Sequence, residues 1–283
     1  MYREIQDSIQ KNLDHTFTYC DQISQHFDAS QRENNSINFF CLCIIDRLRS
    51  SSLGLKSLVE NVVDRQELEF SCGLIVRAII LDYMSVIYAL QLMNDGWIIE
   101  AKPPATALNA PQPGQKSKDL LSLEKFCDIM LADSPSYMVE DVHNSGGRYT
   151  SAESGLLYSN IVKRFPSAFE PYLHDGTKPV RKYKERFTAG KLYQLIYSSP
   201  ITRGTASIFE AYSIYSKYDH FGEVYYGTSR RPFMQKMMHL DQSIRAFPRS
   251  LLFTSTILWI LQQDNQVLAL AMNDTKVLID SFT

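Results

Sequence analysis

Residues 67–94 read ELEFSCGLIVRAIILDYMSVIYALQLMN, and the fold class follows from the pattern of this stretch. If it is helical, its apolar side chains lie almost all round the helix, and the strict alternation of a half-buried strand is missing. A helix that is apolar on nearly every side is typical of the centre of a bundle. Asn94, Asp95 and Gly96 follow, and such residues commonly end helices. The stretch therefore predicts the central helix of an all-α protein.

Amphipathic helices are predicted on both sides of this central one. Residues 2–28 repeat apolar side chains at spacings of three and four, and a second helix, 37–63, follows the capping residues 34–36, although Gly54 weakens its middle. Towards the C-terminus, Thr188 and Thr205 are each predicted to cap a helix. Thr228 or Ser229 is predicted to cap a long helix that Pro248 kinks or splits, and a final helix is predicted from Val267.

The expected architecture is a single multi-helix bundle with an irregular central insertion. One helical domain is predicted over residues 1–283, in which 2–95 and 189–281 supply the bundle helices. Residues 96–188 contain the Pro-rich stretch 101–115, which has no periodicity, and are expected to cover one end of the bundle. With 45% hydrophobic residues, the chain can bury a sizeable core.

Cysteine usage and hydropathy favour a cytoplasmic protein without a membrane span. The five cysteines are odd in number and lack zinc-finger spacing, so reduced, buried thiols are expected. The apolar stretch 74–93 contains Arg77 and Asp82, which are costly in a bilayer, and the stretch 251–261 is too short to span one. The loop residues Glu140, Asp141 and His143 could bind a metal, but the sequence offers no second set of ligands at a suitable spacing, so no metal site is expected. No cofactor is expected either.

Arg77 and Asp82 are charged residues within the apolar central helix. They are five residues apart, which is about 140° round the helix axis, and are therefore poorly placed to pair with each other. We expect each to meet a partner on another helix, because an unpaired buried charge is costly. Two interpretations stay open: structural ion pairs that fix helix register, or charged groups at the edge of a buried pocket.

A second polar cluster lies in residues 213–222, SIYSKYDHFG. Ser216 and His220 are four residues apart on a predicted helix that Gly222 ends, so the hydroxyl and the imidazole can be neighbours and transfer protons. The alternative is that a cationic His220 only stabilises the C-terminus of the helix. As candidate catalytic residues we take His220, Arg77, Asp82, Ser216 and Asp219.

The charge is unevenly distributed, although the net charge is only -2. Residues 163–203 contain nine Lys and Arg but three Asp and Glu. Such a patch can bind phosphates, and a solvated basic surface is the alternative. The candidate phosphate-binding or nucleic-acid-binding residues are Lys178, Arg181, Lys182, Lys184 and Arg186. Nucleic acid is thus a candidate partner, and the oligomeric state is left open.

An apolar helix with an Arg and an acid, followed by a YSKYDH helix, resembles uncharacterised bacterial all-helical families. In these, an Arg-containing helix precedes a helix that ends in a Ser-x-Tyr-x-His-like motif. The matching positions are Arg77, Asp82, Ser216, Tyr218 and His220, within residues 35–95 and 205–225. The acid follows the Arg by five residues here, whereas four would place both on one helix face.

A more distant similarity is to the HEPN helical ribonucleases, which act without metal and carry an Arg, four to six residues, and then a His on one helix. The chain lacks that motif, and its nearest pair, Arg231 and His239, has seven residues between. Any such activity would have to assemble its Arg and His from different helices.

Two main functions therefore compete, and a third is weaker. The first is a non-catalytic binding or regulatory module, with a polar cluster between the central helix and the helix over 205–221. The alternative is a metal-independent nuclease or phosphoester hydrolase that uses His220 as the acid/base and Arg77 to hold a phosphate. The third is a small-ligand sensor, suggested by the tyrosines of the 205–221 helix.

Overall fold

The computed structural model describes residues 2–28, 35–93, 123–132, 187–199, 202–216, 230–262 and 264–282, together with Gln31 and Ala152. Of this part of the chain 86% is helical, and none of it forms a strand. The all-α prediction is therefore confirmed.

The described helices follow one another with short connections wherever the chain is continuous. They are α1 Tyr2–His26, α2 Ser36–Val59, α3 Leu68–Met93, α4 Ala189–Ser198, α5 Ile208–Ser216, α6 Phe233–Ile244, α7 Ala246–Leu261 and α8 Gln266–Asp280. A 3-10 turn, Arg203–Ser207, precedes α5, and residues 123–132 are also helical.

Helix α3 lies at the centre, as the sequence predicts. It contacts α2, α4, α5, α6 and α7, and its buried side chains face several of these helices. Helix α1 packs against α2, α6, α7 and α8, so the first three and last three helices share one core. A helix that is surrounded in this way needs apolar side chains on nearly every face, which explains its weak amphipathicity.

Among the residues that the structure describes, two apolar stretches have the length and hydropathy of a membrane span. They are Leu68–Met93 and Phe233–Leu261, whose most apolar 18-residue windows have mean hydropathies of 1.8 and 1.2. In the most apolar window of each, 61% and 56% respectively is buried inside the protein. Packing into the core therefore uses much of the apolar surface of both stretches.

Local capping chemistry places two of the predicted helix starts correctly. The Asn35 side chain accepts a hydrogen bond from the backbone N–H of Asn38 and begins α2, and Thr188 does the same for Lys191 at the start of α4. Helix α2 runs without interruption through Gly54 but ends at Val59, before the predicted residue 63, because residues 60–64 form turns.

One other predicted helix signal is wrong. Thr205 does not cap α5: it lies inside the 3-10 turn, and its hydroxyl donates to the Thr202 carbonyl. The predicted break of the long helix by Pro248 is confirmed: α6 ends at Ile244 and α7 begins at Ala246, because Pro248 has no N–H to bond the Ile244 carbonyl and its ring clashes with it. Pro248 then occupies the first turn of α7, where its missing N–H costs no helical hydrogen bond. Helix α6 begins after Pro232 without a side-chain cap, and residues 228–229 lie outside the described part.

The thiols are buried as predicted. Four of the five cysteines, all except the half-buried Cys43, are enclosed in the core. Burial raises the pKa of the Cys72 thiol to about 12 and raises the pKa of Cys20, Cys41 and Cys127 further. These thiols therefore stay protonated at neutral pH and act as small apolar side chains.

Candidate functional site: a cavity beside the central helix

A cavity of about 680 Å³ lies between α3, α5, α6 and α7, a volume in the range of small-molecule sites. Its apolar lining is supplied mostly by α5 and α7, with one residue from α8: Ile208, Ala211, Ile214, Leu252, Phe253 and Ile279. Its polar lining is Tyr83, Thr205, Glu210, His239, Gln242, Ser243 and Arg249. The cavity thus combines an apolar body with a few polar groups, as ligand sites commonly do.

Arg249 is the cation of this cavity. It projects from α7, is half-buried, and has its guanidinium carbon 5.9 Å from the centre of the Phe282 ring. Within the described residues, no carboxylate forms an ion pair with it. A guanidinium that is partly removed from water and unpaired attracts an anion, and its planar fork suits carboxylate or phosphate oxygens.

Tyr83 brings a hydroxyl to the cavity from α3. The residue is only 3% exposed, and its ring stacks on that of Phe253 at a centroid distance of 5.8 Å. Burial raises the pKa of Tyr83 to about 12, against a smaller opposing effect of the Arg249 charge. Its hydroxyl therefore remains protonated and makes no hydrogen bond within the described part of the chain, so it can donate one to a ligand.

His239 lines the same cavity from α6. Its Nδ1 lies 3.0 Å from the Tyr215 hydroxyl, and Tyr215 is itself buried in α5. Burial lowers the pKa of His239, and the charge of Arg231 lowers it further. The imidazole is therefore neutral at pH 7, and one ring nitrogen is fixed by Tyr215, which leaves Nε2 to interact with a bound molecule.

Glu210 and Gln242 lie at the exposed edge of the cavity, on α5 and α6 respectively. Neither makes an ion pair or a side-chain hydrogen bond within the described residues. A carboxylate and an amide at the rim can bind hydroxyl or amino groups of a ligand whose anionic end reaches Arg249. The rim of the cavity is therefore polar, whereas its interior is lined by both polar and apolar side chains.

Asp82 lies away from this cavity, on the side of α3 that faces α2. Its Oδ1 is 3.1 Å from Nη1 of Arg47, whose side chain is 56% exposed, whereas its Oδ2 is buried without a hydrogen-bond partner among the described residues. Burial raises the pKa of Asp82 to about 7, and the Arg47 charge opposes that rise. The expectation that Asp82 meets a partner on another helix is confirmed.

Arg77 lies on a different side of α3 and faces α5. Its guanidinium carbon is 5.6 Å from the centre of the Tyr212 ring. Ser216, at the C-terminal end of α5, donates its hydroxyl to the Ser213 carbonyl at 2.8 Å. Arg77 therefore also meets a residue of another helix, and it is directed towards α5 while Asp82 is directed towards α2.

The other predicted site residues lie outside the described part of the chain. These are His220, Asp219 and Tyr218, and the basic residues Lys178, Arg181, Lys182, Lys184 and Arg186. Glu140, Asp141 and His143 lie outside it as well. Within the described residues, no three His, Cys, Asp or Glu side chains come together as a metal site.

No sequence pattern indicated that His239 and Arg249 line the same cavity. The signal for Arg249 was present, since it is a lone charge in the apolar stretch 246–261, like Arg77 in α3. His239 drew attention only for its spacing from Arg231, which is an exposed residue. Comparison with family models, curated proteins and solved structures found no match for the chain.

Proposed function

We propose that the protein is a binding module for a small anionic molecule with an apolar body, held in the cavity beside α3. The observation that carries the proposal is Arg249, a half-buried guanidinium that lines a cavity of about 680 Å³. The Tyr83 hydroxyl and the neutral His239 supply further hydrogen bonds, and Phe253 and Leu252 supply apolar contact.

Binding should depend on the charge of Arg249 more than on any other polar group of the cavity. The ligand's carboxylate or phosphate replaces the water that a half-buried guanidinium otherwise keeps, and charge-assisted hydrogen bonds are about twice as strong as neutral ones. The cavity is lined by α3, α5, α6, α7 and one residue of α8, so a bound ligand contacts all of these helices. Binding of the ligand would regulate the protein through these contacts. A ligand there stabilises the contacts among these helices.

Differential scanning fluorimetry tests the proposal with a panel of aromatic carboxylates, aliphatic carboxylates and phosphate monoesters. A compound at 100 times its Kd should add about 2.7 kcal/mol to the free energy of unfolding and raise Tm by about 5 °C. Arg249→Gln should remove this rise, and Tyr83→Phe should reduce it.

Arg65→Gln is the matched control, since it removes an arginine charge from a surface pair with Glu67 far from the cavity lining. The control should keep the full rise in Tm. The proposal fails if no compound of the panel raises Tm, or if Arg249→Gln responds to the active compound as the unaltered protein does.

A hydrolase is the second candidate, and its favouring observation is a neutral His239 that lines the cavity together with Arg249. Neutral imidazole is the form that accepts a proton as a general base at pH 7, and a guanidinium can hold a phosphate. The sequence-based version, with His220 as acid/base and Arg77 on the phosphate, stays a proposal. His220→Ala and His239→Ala, assayed on RNA, DNA and an activated phosphodiester, distinguish the two versions, and activity unchanged in both variants excludes them.

A further inference from the structure

Four aromatic rings form a continuous column between α4 and α5. The rings of Tyr212 and Phe209 are 5.8 Å apart at an interplanar angle of 15°, and Phe209 and Tyr193 follow at 4.5 Å and 23°. Tyr193 then stacks on Tyr197 at 5.7 Å and 27°. None of the four rings lines the cavity, so the column is separate from the proposed ligand site.

An arginine lies at each end of this aromatic column. Arg77 of α3 has its guanidinium 5.6 Å from the Tyr212 ring centre. Arg203 of the 3-10 turn lies 5.2 Å from the Tyr197 ring centre, and its Nε donates to the Tyr197 carbonyl at 3.0 Å. The Arg77 end is half-buried, whereas the Arg203 end is open to solvent.

The open end has features that core packing does not require. Tyr197 is 51% exposed, although a tyrosine that serves only to fill the core is ordinarily covered. Residues 187–199 and 202–216 contain Lys191 and Arg203 but a single acid, Glu210, which lies at the cavity. An exposed ring next to the Arg203 cation, with one acid in the surrounding sequence, matches a ligand that is flat, aromatic and negatively charged.

We propose that this surface binds unpaired nucleotides of single-stranded nucleic acid. Because the Arg203 guanidinium already lies over the Tyr197 ring, a base stacks on the exposed part of this Arg–Tyr pair, and the Nη groups of Arg203 hold the adjoining phosphate. Stacking on aromatic side chains next to basic residues is the common way in which proteins bind single strands, because every base has a π-face. In a duplex the bases are already stacked on one another, so single strands are preferred.

The sequence next to α4 adds charge of the right sign. Residues 178–186 contain five Lys and Arg and end directly before Phe187. Lys191, one turn further on, has its ammonium 4.4 Å from the Phe187 ring centre. Basic residues therefore precede the column in the chain, and Arg203 lies between its α4 and α5 residues, a charge distribution that suits a nucleic-acid backbone.

Fluorescence anisotropy with 5′-labelled U12 and dT12 tests this proposal on the full chain at 50 mM and 200 mM salt. Tyr197→Ala should weaken binding about tenfold, in line with the loss of one stacked base, while Tyr197→Phe should keep it. Arg203→Gln should weaken binding and reduce the slope of log Kd against log salt by about 0.7, the value for one phosphate contact on a single strand. The U12 and dT12 arms show whether the sugar matters.

Arg65→Gln is the control, since it removes one arginine charge away from the column, and it should bind the oligonucleotides as the unaltered protein does. Circular dichroism checks that each variant is folded. The proposal is overturned if the unaltered chain binds neither oligonucleotide at 50 mM salt, if it prefers a duplex of the same length, or if Tyr197→Ala and Tyr197→Phe bind equally. It is also overturned if Arg65→Gln weakens binding as much as Arg203→Gln does.

Discussion

At the scale of single residues, Asp82 couples the stability of the bundle to pH. Burial raises the pKa of this carboxyl to about 7 in the folded protein, above its ordinary value of 3.8. Between these values the folded state binds more protons than the unfolded state, so the free energy of unfolding falls as the pH rises. From pH 5 to pH 8 this one group should lower the free energy of unfolding by roughly 3 kcal/mol.

Urea unfolding of the unaltered protein and of Asp82→Asn at pH 5, 6, 7 and 8 measures this effect. The variant should gain roughly 3 kcal/mol relative to the unaltered protein across the series, because an amide has no charge to bury. Asp14→Asn is the control: it removes a carboxylate from an exposed pair with Lys56 and should change the free energy of unfolding by less than about 1 kcal/mol at every pH. Parallel curves for Asp82→Asn and the unaltered protein would contradict the prediction.

The buried Tyr215 hydroxyl has a measurable role in holding His239. Tyr215→Phe removes the 3.0 Å contact with Nδ1 and leaves the nitrogen of a half-buried imidazole without that partner, so it should lower the free energy of unfolding by about 1 kcal/mol. Tyr197→Phe removes a hydroxyl from a half-exposed ring and should stay within about 0.5 kcal/mol of the unaltered protein. Equal denaturation midpoints for the two variants would show that the His239 contact adds nothing.

At the scale of elements, a glycine in the middle of α2 lowers the stability of this helix. Gly54 lies on the exposed side of this 24-residue helix, and a Cβ built there meets nothing within 4 Å. Gly54→Ala should therefore raise the free energy of unfolding by roughly 0.5–1 kcal/mol, since alanine restricts the unfolded chain and fits the helix. Thermal unfolding monitored by circular dichroism measures the gain.

Gly190→Ala is the comparison for Gly54→Ala. Gly190 also has free space for a Cβ, but it lies in the first turn of α4, where the helix has few hydrogen bonds to protect. Gly190→Ala should therefore raise the free energy of unfolding by less than Gly54→Ala does. A loss of stability in Gly54→Ala would mean that the exposed face of α2 is in contact with something else.

The helices were predictable to the extent that local chemistry sets their ends. Asn35 and Thr188 cap helices because their side chains bond to a backbone N–H three residues on, an interaction that the sequence displays directly. Thr205 was a misleading cap signal because the chain forms a 3-10 turn from Arg203, whereas Pro248 correctly indicated the break at Arg245 just ahead of it. The cavity could not be predicted, since Tyr83, His239 and Arg249 come from three helices that meet only after the bundle has packed.

At the scale of the whole molecule, α3 links the two halves of the chain. It contacts α2 on one side and α7 on the other, and both interfaces belong to one buried cluster. The sequence predicts a single domain, and one shared core implies that the helices before residue 95 and those after residue 230 unfold together. The aromatic column and the cavity then rest on opposite aspects of the same α5 helix, so the stability of both depends on α3.

A core substitution in α3, read out by a tryptophan in α7, tests this dependence. Ile80 is fully buried, and Ile80→Ala should lower the free energy of unfolding by about 2–5 kcal/mol. In a Trp97→Phe background, the fluorescence of Trp259 reports on α7, and circular dichroism reports on all helices. We expect both signals to shift together to the same lower urea midpoint in Ile80→Ala. Leu53→Ala, at an exposed position of α2, should leave both within about 0.5 kcal/mol. If the Trp259 transition stays in place while the circular dichroism transition moves, the two halves of the chain are separate domains and α3 does not join them.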